Sequence, residues 1–198
     1  YSNPKRDIIK ELSEACKKHG IKLGFYYSHW TDWEHQYSWD NSKEIFWLSS
    51  KEYDRYWQEK VIPQMKELLS NYGEISLIWF DMWLHHDETI VTKKQLIQLK
   101  KLIRSMQPNC LINSRLGLSM KEDADVDFRT LGDNELGKYK YDYPWQTPAT
   151  VAHSWGYNSN ENEWKSTTSI LKSLIGNVSL NGNLMLNIGP NSNGSVPY

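Results

Sequence analysis

Residues 71–81 read Asn71-Tyr72-Gly73-Glu74-Ile75-Ser76-Leu77-Ile78-Trp79-Phe80-Asp81. The Asn-Tyr-Gly triplet stops a helix, a nearly unbroken apolar run follows, and an acidic residue comes directly after it. A short run that is apolar at successive positions fits a strand covered on both faces, the pattern of a parallel sheet. Just upstream, Ser49 and Glu52 form a capping-box signature. Tyr53, Tyr56, Trp57, Val61, Met65, Leu68 and Leu69 then recur at helical spacing, and Pro63 is expected to kink that helix or divide it. The same helix-then-strand order precedes it: Asn3 as N-cap, Pro4 at the first helical position, Ile8, Ile9, Leu12, Ala15 and Cys16 on one face, Gly20 as a left-handed cap, then a strand over 21–27.

Downstream the order repeats. Thr92 caps a helix through Leu96, Ile97, Leu99, Leu102, Ile103 and Met106, ending before Pro108, and residues 110–113 form a short strand. Residues 116–160 are irregular, with room for one or two more strands. A last helix is expected over 161–175, and a strand over 183–188 ends at Gly189-Pro190. Alternating helices and short apolar strands predict an α/β fold with a parallel, helix-covered sheet. A complete eight-stranded β/α barrel takes about 250 residues. The 198 residues therefore read as the C-terminal portion, 1–198, of one (β/α)8-like TIM barrel whose first strands are absent from the chain.

Composition limits the function classes. Lys and Arg number 23 against 24 Asp and Glu, a net charge of −1 that disfavours a nucleic-acid or anionic-membrane binder. Mean hydropathy is −0.69 and no apolar run approaches a membrane span of about 18 residues. Two cysteines, Cys16 and Cys110, exclude a disulfide scaffold and a thiolate metal cluster. Ten Trp and twelve Tyr stand beside four Phe, a bias toward rings that carry a polar handle and stack on flat ligand faces. There is no initiating Met and no signal segment, so a targeting sequence is expected outside this chain.

In parallel β/α architectures the site lies at the carboxyl ends of the strands. Those ends carry Tyr26-Tyr27-Ser28-His29-Trp30, Trp79-Phe80-Asp81-Met82-Trp83, Asn113-Ser114-Arg115 and Asn187-Ile188-Gly189-Pro190, a set suited to a polyol. Asp81 fits a carboxylate nucleophile for an anomeric carbon, or else a loop cap or ion-pair partner. Arg115 suits a cation holding Asp81 ionised, and equally a structural salt bridge. His85-His86-Asp87-Glu88 invites a metal reading. Adjacent histidines diverge, however, so His29 and His35 would have to complete the site, and no HxH or HExxH spacing exists. A solvated loop is the plainer reading. The stretch 122–157 lacks periodicity and holds Asp127, Arg129, Asp133 and Glu135, together with Trp145-Gln146 and Ser154-Trp155-Gly156-Tyr157; long irregular stretches are often functional. Trp57 and Trp164 read as core. Tyr26, Tyr27, Trp30, Trp79, Trp83, Trp145 and Trp155 read as site aromatics.

Six blocks in order carry a resemblance: 24–28 (Gly-Phe-Tyr-Tyr-Ser), 77–81 (Leu-Ile-Trp-Phe-Asp), 112–115 (Ile-Asn-Ser-Arg), 144–146 (Pro-Trp-Gln), 154–158 (Ser-Trp-Gly-Tyr-Asn) and 182–190, which closes Asn-Leu-Met-Leu-Asn-Ile-Gly-Pro. Together they resemble the family-29 glycoside hydrolases, the α-L-fucosidases. The resemblance implies an incomplete barrel and a retaining double displacement that releases terminal L-fucose from glycans, with no cofactor and no metal. It implies Asp81 as nucleophile, Tyr26 or Tyr27 and Arg115 near the sugar, and Trp155 beside the fucose or its leaving group. The family's fucose-gripping histidines belong to a His-His-Asp-Gly-Phe-like block that this chain lacks, and the partner implied for the chain is the remaining N-terminal part of the domain.

One position departs. The resemblance expects the acid/base Glu of a Pro-Trp-Glu block where Gln146 stands, and a carboxamide neither donates a proton at neutral pH nor deprotonates water. That loss is worth about 10²–10⁴-fold. The Gln is an engineered substitution, a natural one that leaves a weak enzyme or a glycan-binding module, or a sign that another carboxylate acts, with Glu135 first and Asp133 next. A retaining pair would need carboxylates about 5–5.5 Å apart. A metal-dependent hydrolase centred on His85, His86 and Asp87 is the third function considered. By resemblance the protein is secreted, periplasmic or lysosomal. Asn177-Val178-Ser179 and Asn193-Gly194-Ser195 fit glycosylation sequons.

Overall fold

The computed structural model describes residues 5–39, 49–82, 89–118 and 126–196. The chain divides into two compact units, Tyr1–Asp127 and Phe128–Tyr198.

The first unit holds a three-stranded sheet in the order β1 (Gly24–Tyr27), β2 (Leu77–Phe80), β3 (Leu111–Ile112). Both pairings are parallel, with Tyr26 opposite Trp79 and Ile78 opposite Ile112. Helix α1 (Ile8–His19) precedes β1. Its N-cap is Asp7, so it starts later than the Asn3-Pro4 signal predicts; those two residues lie outside the described ones. Gly20 closes the helix in the left-handed region at φ 66°, as expected.

The crossover from β1 to β2 is one helical rod in three segments, α2 (Ser50–Tyr56), a π-turn (Trp57–Val61) and α3 (Ile62–Asn71). Ser49 and Glu52 make both bonds of a capping box. Pro63 divides the rod as predicted. It has no N–H to return to the preceding turn, and the Ile62 N–H reaches back five residues to the Trp57 carbonyl. Helix α4 (Lys93–Met106) follows a second capping box at Thr92 and Gln95, and buries Leu96, Leu99 and Ile103 at helical spacing. Tyr53, Tyr56, Trp57, Val61, Met65 and Leu69 form the facing wall.

The tyrosine excess has a structural use here. The Tyr53 hydroxyl donates to the Trp30 carbonyl at 2.8 Å and the Tyr56 hydroxyl to the His29 carbonyl at 3.2 Å, satisfying backbone groups in the loop after β1. Trp30, expected among the site aromatics, is instead 1 % exposed and stacks on Trp39 with ring centroids 4.3 Å apart. Trp83 lies outside the described residues.

The second unit holds a parallel sheet in the order β4 (Arg129–Thr130), β5 (Trp145–Thr150), β6 (Asn183–Asn187). Two of its strands fall in the stretch read as irregular. They escape pattern recognition because β4 has two residues and β5 carries Gln146, Thr147, Pro148 and Thr150. Helix α5 (Thr167–Ser179) starts six residues later than expected, capped by Ser166. The upstream segment is instead a loop, in which the Glu161 carboxylate accepts the Ser154 and Glu163 N–H groups.

Trp145, expected at the site, is fully buried, and Trp164, expected in the core, is partly exposed ahead of α5. The Trp145 indole lies so close to Gly137 and Gly182 that a Cβ on either glycine would come within 2.1 Å of it. Asn177 is 1 % exposed; its amide donates to Thr147 Oγ1 and the Asn183 carbonyl and accepts from the Gly137 N–H. Those bonds withhold this sequon from a glycan in the folded protein, whereas Asn193 lies in an exposed turn.

Gly182→Ala should therefore lower unfolding stability by about 1–3 kcal/mol through overpacking against Trp145. Urea unfolding of the parent and variant measures it, and an unchanged midpoint contradicts the packing.

Candidate active site

Side chains on a strand alternate between faces, so Trp79 and Asp81 share one side of the first sheet while Ile78 and Phe80 share the other. The register sets Tyr26 beside Trp79, with ring centroids 5.8 Å apart and stacked. Tyr26 thereby reaches Asp81, its hydroxyl donating to Oδ2 at 2.7 Å. Tyr27, one residue on, takes the other face and donates to Gln64 Oε1 on α3 at 2.8 Å. Of the two tyrosines read as site candidates, the structure brings Tyr26 to the carboxylate.

Arg115 completes the group. After β3 the chain enters a short 3₁₀ turn (Ser114–Leu116), and the Arg115 guanidinium donates to Asp81 Oδ1 at 3.0 Å. It also sits over the Trp79 ring, 5.0 Å from the centroid. The turn closes at Gly117, whose φ of 105° lies in the left-handed region that favours glycine. Asp81 thus receives one donor on each oxygen, and charge-assisted bonds of this kind are the strong ones. Loss of water around its hydroxyl, and the Asp81 carboxylate it donates to, raise the Tyr26 pKa well above its ordinary value. The Ser28 hydroxyl points at the Asp81 carbonyl at 3.5 Å.

Beneath this group lies His29, fully buried, with its ring edge-on to Phe80 and its Nε2 2.9 Å from the Leu116 carbonyl. That contact puts the imidazole proton on Nε2. Burial pushes its pKa down to about 4. His29 is thereby committed to the 3₁₀ turn and leaves the metal reading, and His85, His86, Asp87 and Glu88 lie outside the described residues. Among the described residues no three His, Cys, Asp or Glu side chains converge as ligands.

In the second unit Gln146 lies half-buried on β5, paired in register with Thr130 and Asn183. Glu135 is exposed; its carboxylate folds back to accept the Gly132 N–H at 3.1 Å, and its carbonyl accepts from the buried Thr147. Asp127, in the first unit, is spent on Arg104 and on the Ile112 N–H. Trp155 is exposed on the loop after β5, and its carbonyl accepts from Asn187 at 2.7 Å. Gly189 packs against the Gly156–Tyr157 backbone so closely that a Cβ would meet it at 2.8 Å. The Ser-Trp-Gly-Tyr and Asn-Ile-Gly-Pro blocks are thus neighbours in space.

The first unit thus places an acidic side chain at the carboxyl end of a parallel strand, flanked by an indole and two donors, on an α/β scaffold. The chain belongs to the α-L-fucosidase family, whose model matches residues 1–198. It is similar to α-L-fucosidase from Vibrio sp. strain EJY3, with a TM-score of 0.86 and 34 % identity over 98 % of this chain and 34 % of that one. It is also similar to α-L-fucosidase AlfC from Lactobacillus casei, solved with α-L-fucose product. There the TM-score is 0.80 and the identity 35 %, over 97 % of this chain and 61 % of that one. The α-L-fucosidase of Dictyostelium discoideum is 25 % identical over 99 % of this chain and 42 % of its own length. The chain thus spans about two fifths of that curated relative.

The His29 environment predicts an acid limb of stability. An unfolded histidine titrates near 6.5 and folded His29 near 4, so between those values the unfolded chain alone takes up the proton. Its contribution is complete above the upper value and is lost as pH falls toward the lower one, on the order of 3 kcal/mol. His29→Gln, whose amide still reaches Leu116, should flatten that limb in pH-dependent denaturation; an unaltered limb assigns it to other groups.

Proposed function

We propose that the protein carrying this chain is a retaining exo-α-L-fucosidase acting on terminal L-fucose of glycans, with Asp81 as nucleophile. The observation that carries this reading is the pair of donors on Asp81, Tyr26 on one oxygen and Arg115 on the other. They aim the carboxylate. One oxygen attacks the anomeric carbon as the glycosidic bond breaks, giving a covalent fucosyl-enzyme that water then opens. Trp155 supplies an exposed ring for the sugar or its leaving group. This chain is then the C-terminal portion of a TIM barrel whose earlier strands bring the remaining fucose contacts. The protein is exported or lysosomal, where fucosylated glycans occur.

Gln146 occupies the acid/base position, so a substrate with a poor leaving group turns over slowly unless Glu135 or Asp133 supplies the proton. The same residue favours a second reading, a fucose- or glycan-binding protein on the enzyme scaffold.

Kinetics separate these. Asp81→Asn should abolish turnover of an aryl α-L-fucoside, and surviving activity would sink the nucleophile assignment. Gln146→Glu should raise turnover of a fucosyl disaccharide by about 10²–10⁴-fold. In the parent, azide should accelerate release from the aryl fucoside and yield α-L-fucosyl azide, because this anion needs no general base. No gain from either, with measurable fucose binding, favours the binding protein.

A further inference from the structure

Parallel pairing between β2 and β3 ends at Ile78 and Ile112, yet β2 runs on to Phe80, which is fully buried. Within a strand, the N–H and C=O of one residue point to the same neighbour. Those of Phe80 therefore face the place where β3 has already turned away into the 3₁₀ segment. Buried and unmet, the two groups would each carry a desolvation cost.

The Asn113 side chain meets both. Its Oδ1 accepts the Phe80 N–H at 2.8 Å and its Nδ2 donates to the Phe80 carbonyl at 2.9 Å, and the residue is itself wholly buried. A primary amide thus stands in for one more residue of strand. The Phe80 carbonyl belongs to the peptide plane that runs on to the Asp81 Cα, so gripping it restrains the direction in which the Asp81 side chain leaves the backbone. Two residues beyond Asn113 lies Arg115, which holds the other end of Asp81. Phe80, Asp81, Arg115 and Asn113 form a closed ring of covalent and hydrogen bonds. The far end of the Arg115 turn is pinned independently, by His29 on the Leu116 carbonyl.

We propose that Asn113 is a positioning residue for the reaction. By replacing a missing strand residue it sets the angle of the Asp81 carboxylate and its spacing from Arg115, while making no contact with the carboxylate itself. The inference rests on Asp81 as nucleophile. A carboxylate displaced by about 1 Å from its line of attack loses on the order of 10²-fold in rate without losing the ligand.

The test uses the full-length protein and a dinitrophenyl α-L-fucoside. Its leaving group departs without protonation, so position 146 does not gate the step. Asn113→Leu, nearly isosteric and without either hydrogen bond, should slow the burst of dinitrophenolate by about 10²-fold while the dissociation constant for L-fucose stays within about threefold. Asn113→Asp adds a signature that a role in stability alone would not give. As a carboxylic acid it reproduces both bonds; as a carboxylate it cannot donate to Phe80. Its rate relative to the parent should therefore start near one at low pH and fall as pH rises. Should the Leu variant not fold, the pH dependence of the Asp variant decides.

Folded variants with the parent's burst rate at every pH overturn the proposal, as does a rate loss matched by an equal loss of fucose affinity. Asp81→Asn is measured alongside. If it keeps the burst, the nucleophile assignment itself has failed; if it is inactive while the Asn113 variants match the parent, only the positioning role has.

Discussion

The first unit is organised by the early end of one strand. β3 pairs with β2 through two residues and then bends, and that bend puts a cation against the carboxylate at the end of β2. Had β3 continued in register, Arg115 would lie further along the strand and alternate in or out of the face with the pleat. The 3₁₀ turn removes that constraint and brings the guanidinium across. Its cost is a pair of unpaired backbone groups at Phe80, which Asn113 offsets, and a left-handed residue at Gly117, which only glycine fills comfortably. Sheet termination, turn chemistry and electrostatics are one arrangement here.

Much of this was legible in the sequence because it is written locally. Capping boxes at Ser49 and Thr92, the stop at Gly20, the division at Pro63 and the apolar runs of β1, β2 and β6 all come from short-range rules. Asp81 and Arg115 were visible as strand-end residues. What was not legible depends on distant partners. The choice between Tyr26 and Tyr27 turns on the register with β2, which no local pattern states. β4 and β5 owe their existence to the neighbours they pair with, and β5 contains a proline that local rules read as a break. A signal for Asn113 did exist, an Asn at the end of a truncated strand just before an arginine, but its meaning needs the opposing strand.

The aromatic composition divides differently from what position alone suggests. Trp30, Trp57 and Trp145 are core, and Tyr53 and Tyr56 use their hydroxyls to satisfy loop carbonyls. A phenylalanine in either place would leave those groups bare. Polar-handled rings are therefore a way to bury bulk beneath a loop-rich face, and only part of the excess is exposed as Tyr26 and Trp155 are.

Trp79 carries a consequence for how this site can change. Tyr26 stacks on its indole and Arg115 lies over it, while both donate to Asp81. The two donors thus share a floor as well as a target. Substitutions at positions 26, 79 and 115 are energetically coupled, and their effects will not add. A change at any one of them alters the footing on which the other two hold the carboxylate.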